Sequence, residues 1–240
     1  ITTCPLLAAG GRDMTMDSQV GGAGVNPGVW INKTGHRFAA ESVAENLGDI
    51  GTYYGKQPGG IVWSILSQAD VDRLVSEGSE IAIGEFVVYH KPMTGLLPEL
   101  EAHLESGLVK KADTFEDLAE QMGVPTDEFV ETMTAYNEAC EKGVDEAYFK
   151  KPQYLRALAE PPFYGIPLAT GTMGSAGGIK VNGDMQVITS DGDAIPGLYA
   201  VGLDATGLYG DSYNMEIPGC ANGFAHTSGR IAARHAIANM

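Results

Sequence analysis

The densest chemical signal in the chain is GLYAVGLDATGLYGDSYNMEIPGCANGFA, near its C-terminal end. It reads as a strand over Leu198–Val201, a loop carrying Gly202, Gly207 and Gly210, and a helix whose first turn holds Gly219, Cys220, Ala221, Asn222 and Gly223. Small side chains let a flat ligand lie against bare backbone. The start of a helix adds a partial positive charge that suits an anionic edge of such a ligand. Strand, glycine loop and helix recur in many α/β proteins, so this pattern is also compatible with a purely structural turn. A second chemical pair is Arg37 and Glu41, four residues apart in INKTGHRFAAES, for which a solvated salt bridge stands beside a functional reading.

The elements that must position these residues fall into two regimes. Glycine, 32 of 240 residues, is dense up to Gly60, sparse from Leu96 to Pro162 and dense again from Gly165 to Gly229. The glycine-poor stretch has helical spacing. Ser67 with Asp70 forms a capping box before ADVDRLVSEG, and Thr114 with Asp117 does the same before LAEQMG. Thr126 opens a longer helix that stops at Gly143, with Phe129, Met133, Tyr136 and Cys140 on one face. From Gly178 the period changes to short β-runs at Ile179–Val181, Gln186–Thr189 and Leu198–Val201. Asn182-Gly183 and Asp191-Gly192 supply the turns, and the last run is expected to be buried. The final helix places Ile231, Ala232, His235 and Ala236 on one side.

The net charge of −16, from 31 acidic and 15 basic residues, argues against nucleic acid and anionic lipid as partners. No apolar stretch is long enough to span a bilayer. Cys4, Cys140 and Cys220 have no metal-site or disulfide-framework spacing, so no metal is expected. A soluble protein, cytoplasmic or exported, is the reading. ITTCPLLAAGGRDM has neither an initiator Met nor a basic leader and reads like the interior of a longer polypeptide.

Three ordered blocks resemble the fumarate reductase/succinate dehydrogenase flavoprotein superfamily. GGIKVNGDMQVITSDGDAIPGLYAVG, with SGRIAA at Ser228–Ala233, is similar to the segment that closes its FAD domain. INKTGHRFAAES (Ile31–Ser42) is similar to its V-N-x-x-G-x-R-F-x-x-E element. PPFYGIPLATGTMGSAGGIKV is similar to the return from its mobile cap to the FAD domain. The resemblance implies an α+β chain: a helical and mixed cap inserted into the C-terminal part of a glutathione reductase-like FAD-binding α/β domain. Residues 1–42 would be the FAD-domain remnant and join, 43–162 the cap and 163–240 the closing segment. The family's GxGxxG dinucleotide half has no counterpart, since GGAG at Gly21–Gly24 follows no strand and opens no helix in this reading.

The same resemblance implies FAD as cofactor, contacted by Gly202, Leu203, Asp204, Gly207, Gly210, Cys220, Ala221 and Asn222. It implies hydride transfer between flavin and a carbonyl-activated C–C bond of a small-molecule substrate. Fumarate is not the expected substrate. Thr170 or Gly171 stands where relatives have the substrate-binding His, and Tyr213 stands where they have Arg. In the cap, SQADVDR offers Asp70, with Arg73 displaced. Tyr213 would polarise a carbonyl or donate a proton, with Tyr209 as its rival. Arg37 and Glu41 match residues beside the active site, the glutamate in a proton path. Further partners implied are the N-terminal FAD-binding half and an electron-donor domain or protein. The alternative expectation is a non-catalytic fragment without FAD that forms homodimers through exposed FAD-domain surfaces.

Overall fold

A computed structural model describes residues 2–7, 19–82, 88–174, 177–206 and 219–240. The elements run β1 (Thr2–Leu7), α1 (Gln19–Val25), β2 (Val29–Ile31), α2 (Leu47–Gly55), β3 (Ile61–Ser67), α3 (Gln68–Glu77), α4 (Leu96–Glu105), β4 (Lys110–Ala112), α5 (Phe115–Met122) and α6 (Thr126–Lys142). They continue with β5 (Phe163–Gly174), β6 (Ile179–Lys180), β7 (Gln186–Ile188), β8 (Ala194–Tyr199), β9 (Ala205–Thr206) and α7 (Cys220–Ala238). Helix and strand are thus mixed throughout. The chain divides into two compact units, residues 4–171 and residues 172–240 with 1–3.

The larger unit is organised by a five-stranded sheet in the order β1-β5-β3-β2, with β4 also paired to β5. β3 runs antiparallel to β5 from Ile61↔Ala169 to Ser67↔Phe163, and β2 adds to β3 at Val29↔Ile65. Alternate residues of these strands meet the apolar faces of α5 and α6. Val29, Ile31, Ile65 and Phe163 close on Leu118, Met122, Phe129, Met133 and Tyr136. Phe115 ties the layers together, stacked on Phe163 at 4.4 Å and edge-on to Phe129 at 6.0 Å. The helix starts obey local rules. Asp70 Oδ2 accepts from Ser67 N at 3.0 Å while Asp70 N donates back to Ser67 Oγ at 3.3 Å, completing the capping box of α3. The run Gly21–Gly24, expected to open no helix, is helical. It sits inside α1, where a Cβ on Gly24 would come within 3.1 Å of Ile166 and 3.2 Å of Leu168, so the glycine serves close helix–sheet packing.

One loop of this unit is strained. After α6, Asp145 accepts from the backbone N–H of Ala147 and Tyr148 at 3.2 Å and of Lys150 at 3.3 Å. Its carbonyl takes the Phe149 N–H at 2.9 Å. These bonds hold Phe149 at φ +60° with its ring 80% exposed. A left-handed conformation costs an L-residue roughly 1–2 kcal/mol. Phe149→Gly is therefore expected to raise the urea midpoint of unfolding, by roughly 1 kcal/mol of stability. A lowered midpoint would mean that the ring contributes packing.

Among the described residues of the smaller unit, Val187, Ala200 and Ala205 form a buried cluster, with Val181 and Phe224 against them. β7 and β8 form a two-stranded hairpin through the turn Thr189–Asp193, and β6 pairs in parallel with β9 at Ile179↔Ala205. The expected buried strand at Leu198–Val201 is corrected: the strand is β8, ending at Tyr199, and Leu198 is 47% exposed. The reason is topological: among the described residues β8 pairs with β7 alone.

Candidate functional site

In the larger unit the GHRF element turns from β2 into a short 3-10 turn at Glu41–Glu45, which brings Glu41 back beneath Arg37. Arg37 Nε donates to Glu41 Oε1 at 2.8 Å and Nη2 to Glu41 Oε2 at 2.7 Å, a two-pronged bridge. Nη2 also reaches Asp145 Oδ2 at 2.8 Å. The guanidinium lies between the rings of Tyr136 and Tyr148, each centroid 4.9 Å away. Lys150 Nζ stands 3.5 Å from Glu41 Oε2, donates to Tyr136 Oη at 2.9 Å and caps the Gly28 carbonyl. The salt bridge between Arg37 and Glu41 is buried, with side-chain exposures of 5% and 0%, so the solvated alternative does not hold.

Burial works against charge on Arg37, yet the hydrogen bonds and charges of Glu41 and Asp145 outweigh it and hold the guanidinium pKa above its ordinary value. Burial lowers the pKa of the Lys150 ammonium, with Arg37 adding to the effect and Glu41 opposing it. Burial raises the Tyr136 phenol. Every cation in this cluster has a carboxylate partner, and Arg37, Tyr136, Asp145 and Tyr148 line a cleft of about 470 Å³ with His36, Thr132 and Lys142, whereas Glu41 and Lys150 lie outside its lining. Thr170, Asp70 and Arg73 are each held by local partners. Thr170 gives its hydroxyl to the Gly51 carbonyl at 3.0 Å, Asp70 is spent in the capping box, and Arg73 pairs with Glu80 at 3.3 Å. Tyr54 is buried against Trp30 in an edge-to-face contact at 5.1 Å, whereas Tyr53 is exposed.

The smaller unit holds the other candidate. Gly177, Gly178, Ile179, Tyr199, Ala200, Val201, Leu203 and Asp204 line a cleft of about 540 Å³. Its wall is bare at the glycines, and a Cβ on Gly178 would lie 2.5 Å from the Asp204 carbonyl oxygen. Gly202 begins a 3-10 turn, Gly202–Asp204, at φ +60° and donates its N–H to Ser228 Oγ of α7 at 2.9 Å. This bond seats the turn on the last helix and leaves Leu203 and Asp204 exposed. Cys220, Ala221 and Asn222 form the first turn of α7 behind Gly219, whose φ is +78°. Gly207, Gly210, Tyr209 and Tyr213 lie outside the described residues. Leu203 and Asp204 therefore share one cleft, with Gly202 starting the turn that carries them, and Gly178 and Tyr199 join them without having been singled out beforehand. The GG doublet before Ile179 carried that signal. Gly178→Ala is expected to push β6 away from β9 and weaken binding of any flat ligand in the cleft, read by titration with FAD. Unchanged binding would show that the close approach serves β6–β9 pairing alone.

Among the described residues no group of three or more His, Cys, Asp or Glu is placed to hold a metal, and no helix is long and apolar enough to cross a membrane. Of curated proteins, a vinyl phenol reductase of Lactiplantibacillus plantarum is 37% identical over 216 residues, covering 89% of this chain and 43% of that protein. A 3-oxosteroid 1-dehydrogenase of Mycobacterium tuberculosis is 34% identical over 147 residues, 55% of this chain and 26% of that one. The chain thus spans less than half the length of the curated relatives it matches. Among solved structures, a 3-ketosteroid delta1-dehydrogenase from Sterolibacterium denitrificans superposes with a TM-score of 0.70 at 22% identity, over 100% of this chain and 43% of that chain. An open-conformation flavocytochrome c3 fumarate reductase gives 0.58 at 24%, over 98% and 37%. These two likenesses show the fold. A family model for an FAD binding domain matches residues 2–223, almost the whole described chain, and the protein belongs to that FAD binding domain family.

Proposed function

We propose that this chain is the substrate-side and closing portion of an FAD-dependent oxidoreductase that moves hydride between flavin and a carbonyl-activated C–C bond. The observation that carries the reading is the glycine-walled cleft of the smaller unit, formed by the residues at which the sequence resembles a flavin-contacting segment. Names among the relatives, vinyl phenol reductase, 3-oxosteroid 1-dehydrogenase and NADH:acrylate oxidoreductase, support a substrate carrying or receiving a carbon–carbon double bond. The cleft fits the cofactor: Gly177 and Gly178 present no side chain, and Gly202 fixes the turn bearing Leu203 and Asp204. Bound there, FAD supplies two-electron hydride exchange. Gly202, Leu203, Asp204, Gly207 and Gly210 would hold it, with the first turn of α7, Cys220 to Asn222, facing its electron-rich edge.

Tyr213 is assigned as the proton donor or carbonyl polariser. Arg37 and Glu41 are assigned a positioning role, since their charges are consumed by one another and by Asp145 and Lys150. We assign residues 43–162 to a cap over the substrate, and holding of the ADP part of FAD to a dinucleotide-binding half. An electron-donor domain or protein would complete the cycle. The test is uptake of FAD by the purified protein, followed by its absorbance. A protein that stays colourless with FAD present would overturn the reading for this chain. A second reading, self-association without flavin, draws on the exposed Ile179, Leu198 and Leu203 of the smaller unit. A colourless oligomer would favour it.

A further inference from the structure

Tyr199 ends β8 at the rim of the glycine-walled cleft and lines it with Gly178, Leu203 and Asp204. Its Oη lies 2.8 Å from Nδ1 of His235, near the end of α7, and the two rings meet edge to face with centroids 5.8 Å apart. On the far side of the imidazole, Asp184 Oδ2 is 3.8 Å from Nε2 and Asn239 Nδ2 is 3.3 Å from the same nitrogen. Asn239 Nδ2 also donates to the His235 carbonyl at 2.8 Å. The turn that carries Asp184 is itself closed by Asn182, whose side chain accepts from Asp184 N at 3.1 Å and Gln186 N at 3.0 Å. One side chain of the cleft wall is thereby tied, through an imidazole, to the turn before β7 and to the last turn of α7.

A hydrogen bond of this kind contributes too little to hold the unit folded. It is enough to select one orientation of a side chain with two torsions, which is pre-organisation of a binding surface. The rest of the cleft wall cannot supply it, because glycines have no side chain to fix and Leu203 is exposed.

We infer that Tyr199 is a ligand-contacting residue of this cleft and that His235 is its positioning residue, the pair setting how the flat ring of a flavin lies against the glycine wall. The inference rests on the FAD reading of the cleft. An electron-rich phenol in contact with a flavin ring quenches its fluorescence, so the bound ligand reports the contact directly. In the flavin-loaded protein, Tyr199→Phe is expected to bind FAD and to raise its fluorescence. His235→Leu is expected to raise fluorescence likewise and to weaken FAD binding about five- to tenfold, the loss of one hydrogen bond's worth of pre-organisation. His235→Gln keeps a polar partner for the phenol and is expected to restore binding to within about twofold of wild type. If both His235 variants lower the thermal midpoint of the flavin-free chain while bound-flavin fluorescence stays at the wild-type level, the pair is structural only and the inference is overturned. A wild-type protein that takes up no FAD overturns the cofactor reading itself, a different failure from a wild type that binds FAD with a Tyr199→Phe spectrum identical to its own.

Discussion

Glu41→Ala is expected to destabilise the larger unit by about 3–5 kcal/mol, since it removes one partner from a buried charge cluster and leaves the others uncompensated. Glu41 is the acceptor for both prongs of Arg37 and stands 3.5 Å from Lys150 Nζ, and it also accepts the Trp30 N–H at 3.3 Å. Its loss leaves Arg37 with Asp145 alone and Lys150 with only neutral oxygens from Tyr136 and Gly28. The exposed pair Lys151–Glu45, in the same turn, is the control. Lys151 and Glu45 are half-exposed, and Glu45→Ala is expected to cost about 1 kcal/mol or less. Urea unfolding of the two variants decides the matter, and equal costs would show that the cluster is solvated after all. The pH dependence follows from Asp145. Burial would raise its carboxyl pKa, but Arg37 and the backbone N–H groups of Tyr148 and Lys150 outweigh it and hold it below its ordinary 3.8. A depressed carboxyl contributes stability that is fully present above its unfolded pKa and lost as pH falls through the folded one. Wild type should therefore lose stability below about pH 4, and Asp145→Asn should lose less over the same interval.

This cluster marks the limit of what the sequence made legible. Arg37 and Glu41 were visible because they sit four residues apart, and a local pair can be read from spacing. Asp145 and Lys150 lie 108 and 109 residues further on than Arg37 and Glu41, and only the β2–β3–β5 pairing and the packing of α6 bring them there. No local pattern reports that distance, so the spacing alone left a solvated bridge open beside a functional one. Helix boundaries were legible for the opposite reason. Ser67 with Asp70 and the left-handed Gly143 after α6 act through hydrogen bonds within a few residues. At β8 the error was one of environment. IPGLYA is apolar enough for a buried strand, but burial depends on a neighbour, and among the described residues the strand pairs only with β7. The cleft was half legible, through Leu203 and Asp204. Tyr199 joined it unannounced, because its partner His235 is set by how α7 packs.

Tyr213→Phe in the flavin-loaded enzyme is expected to lower turnover by about 10²–10⁴-fold, the usual contribution of a positioned general acid. At 1.36 kcal/mol per decade that is about 3–5 kcal/mol of transition-state stabilisation from one oxygen atom. FAD binding should be unaffected, since the cleft residues assigned to the cofactor contribute glycine backbone and the exposed Leu203 and Asp204, not this phenol. The reasoning is chemical. When hydride reaches one carbon of an enone, negative charge develops toward the carbonyl, and a proton must be delivered to the neighbouring carbon. An arginine at this position would hold a carboxylate. A phenol can instead donate a hydrogen bond to a carbonyl or pass on its proton, which is why the change from Arg to Tyr points away from fumarate. Tyr209 is the rival candidate. If Tyr209→Phe takes the larger loss and Tyr213→Phe keeps turnover, the donor is Tyr209 and Tyr213 packs. A fall in kcat and kcat/KM together would place the lost interaction in the transition state, whereas a rise in KM alone would reduce Tyr213 to substrate binding.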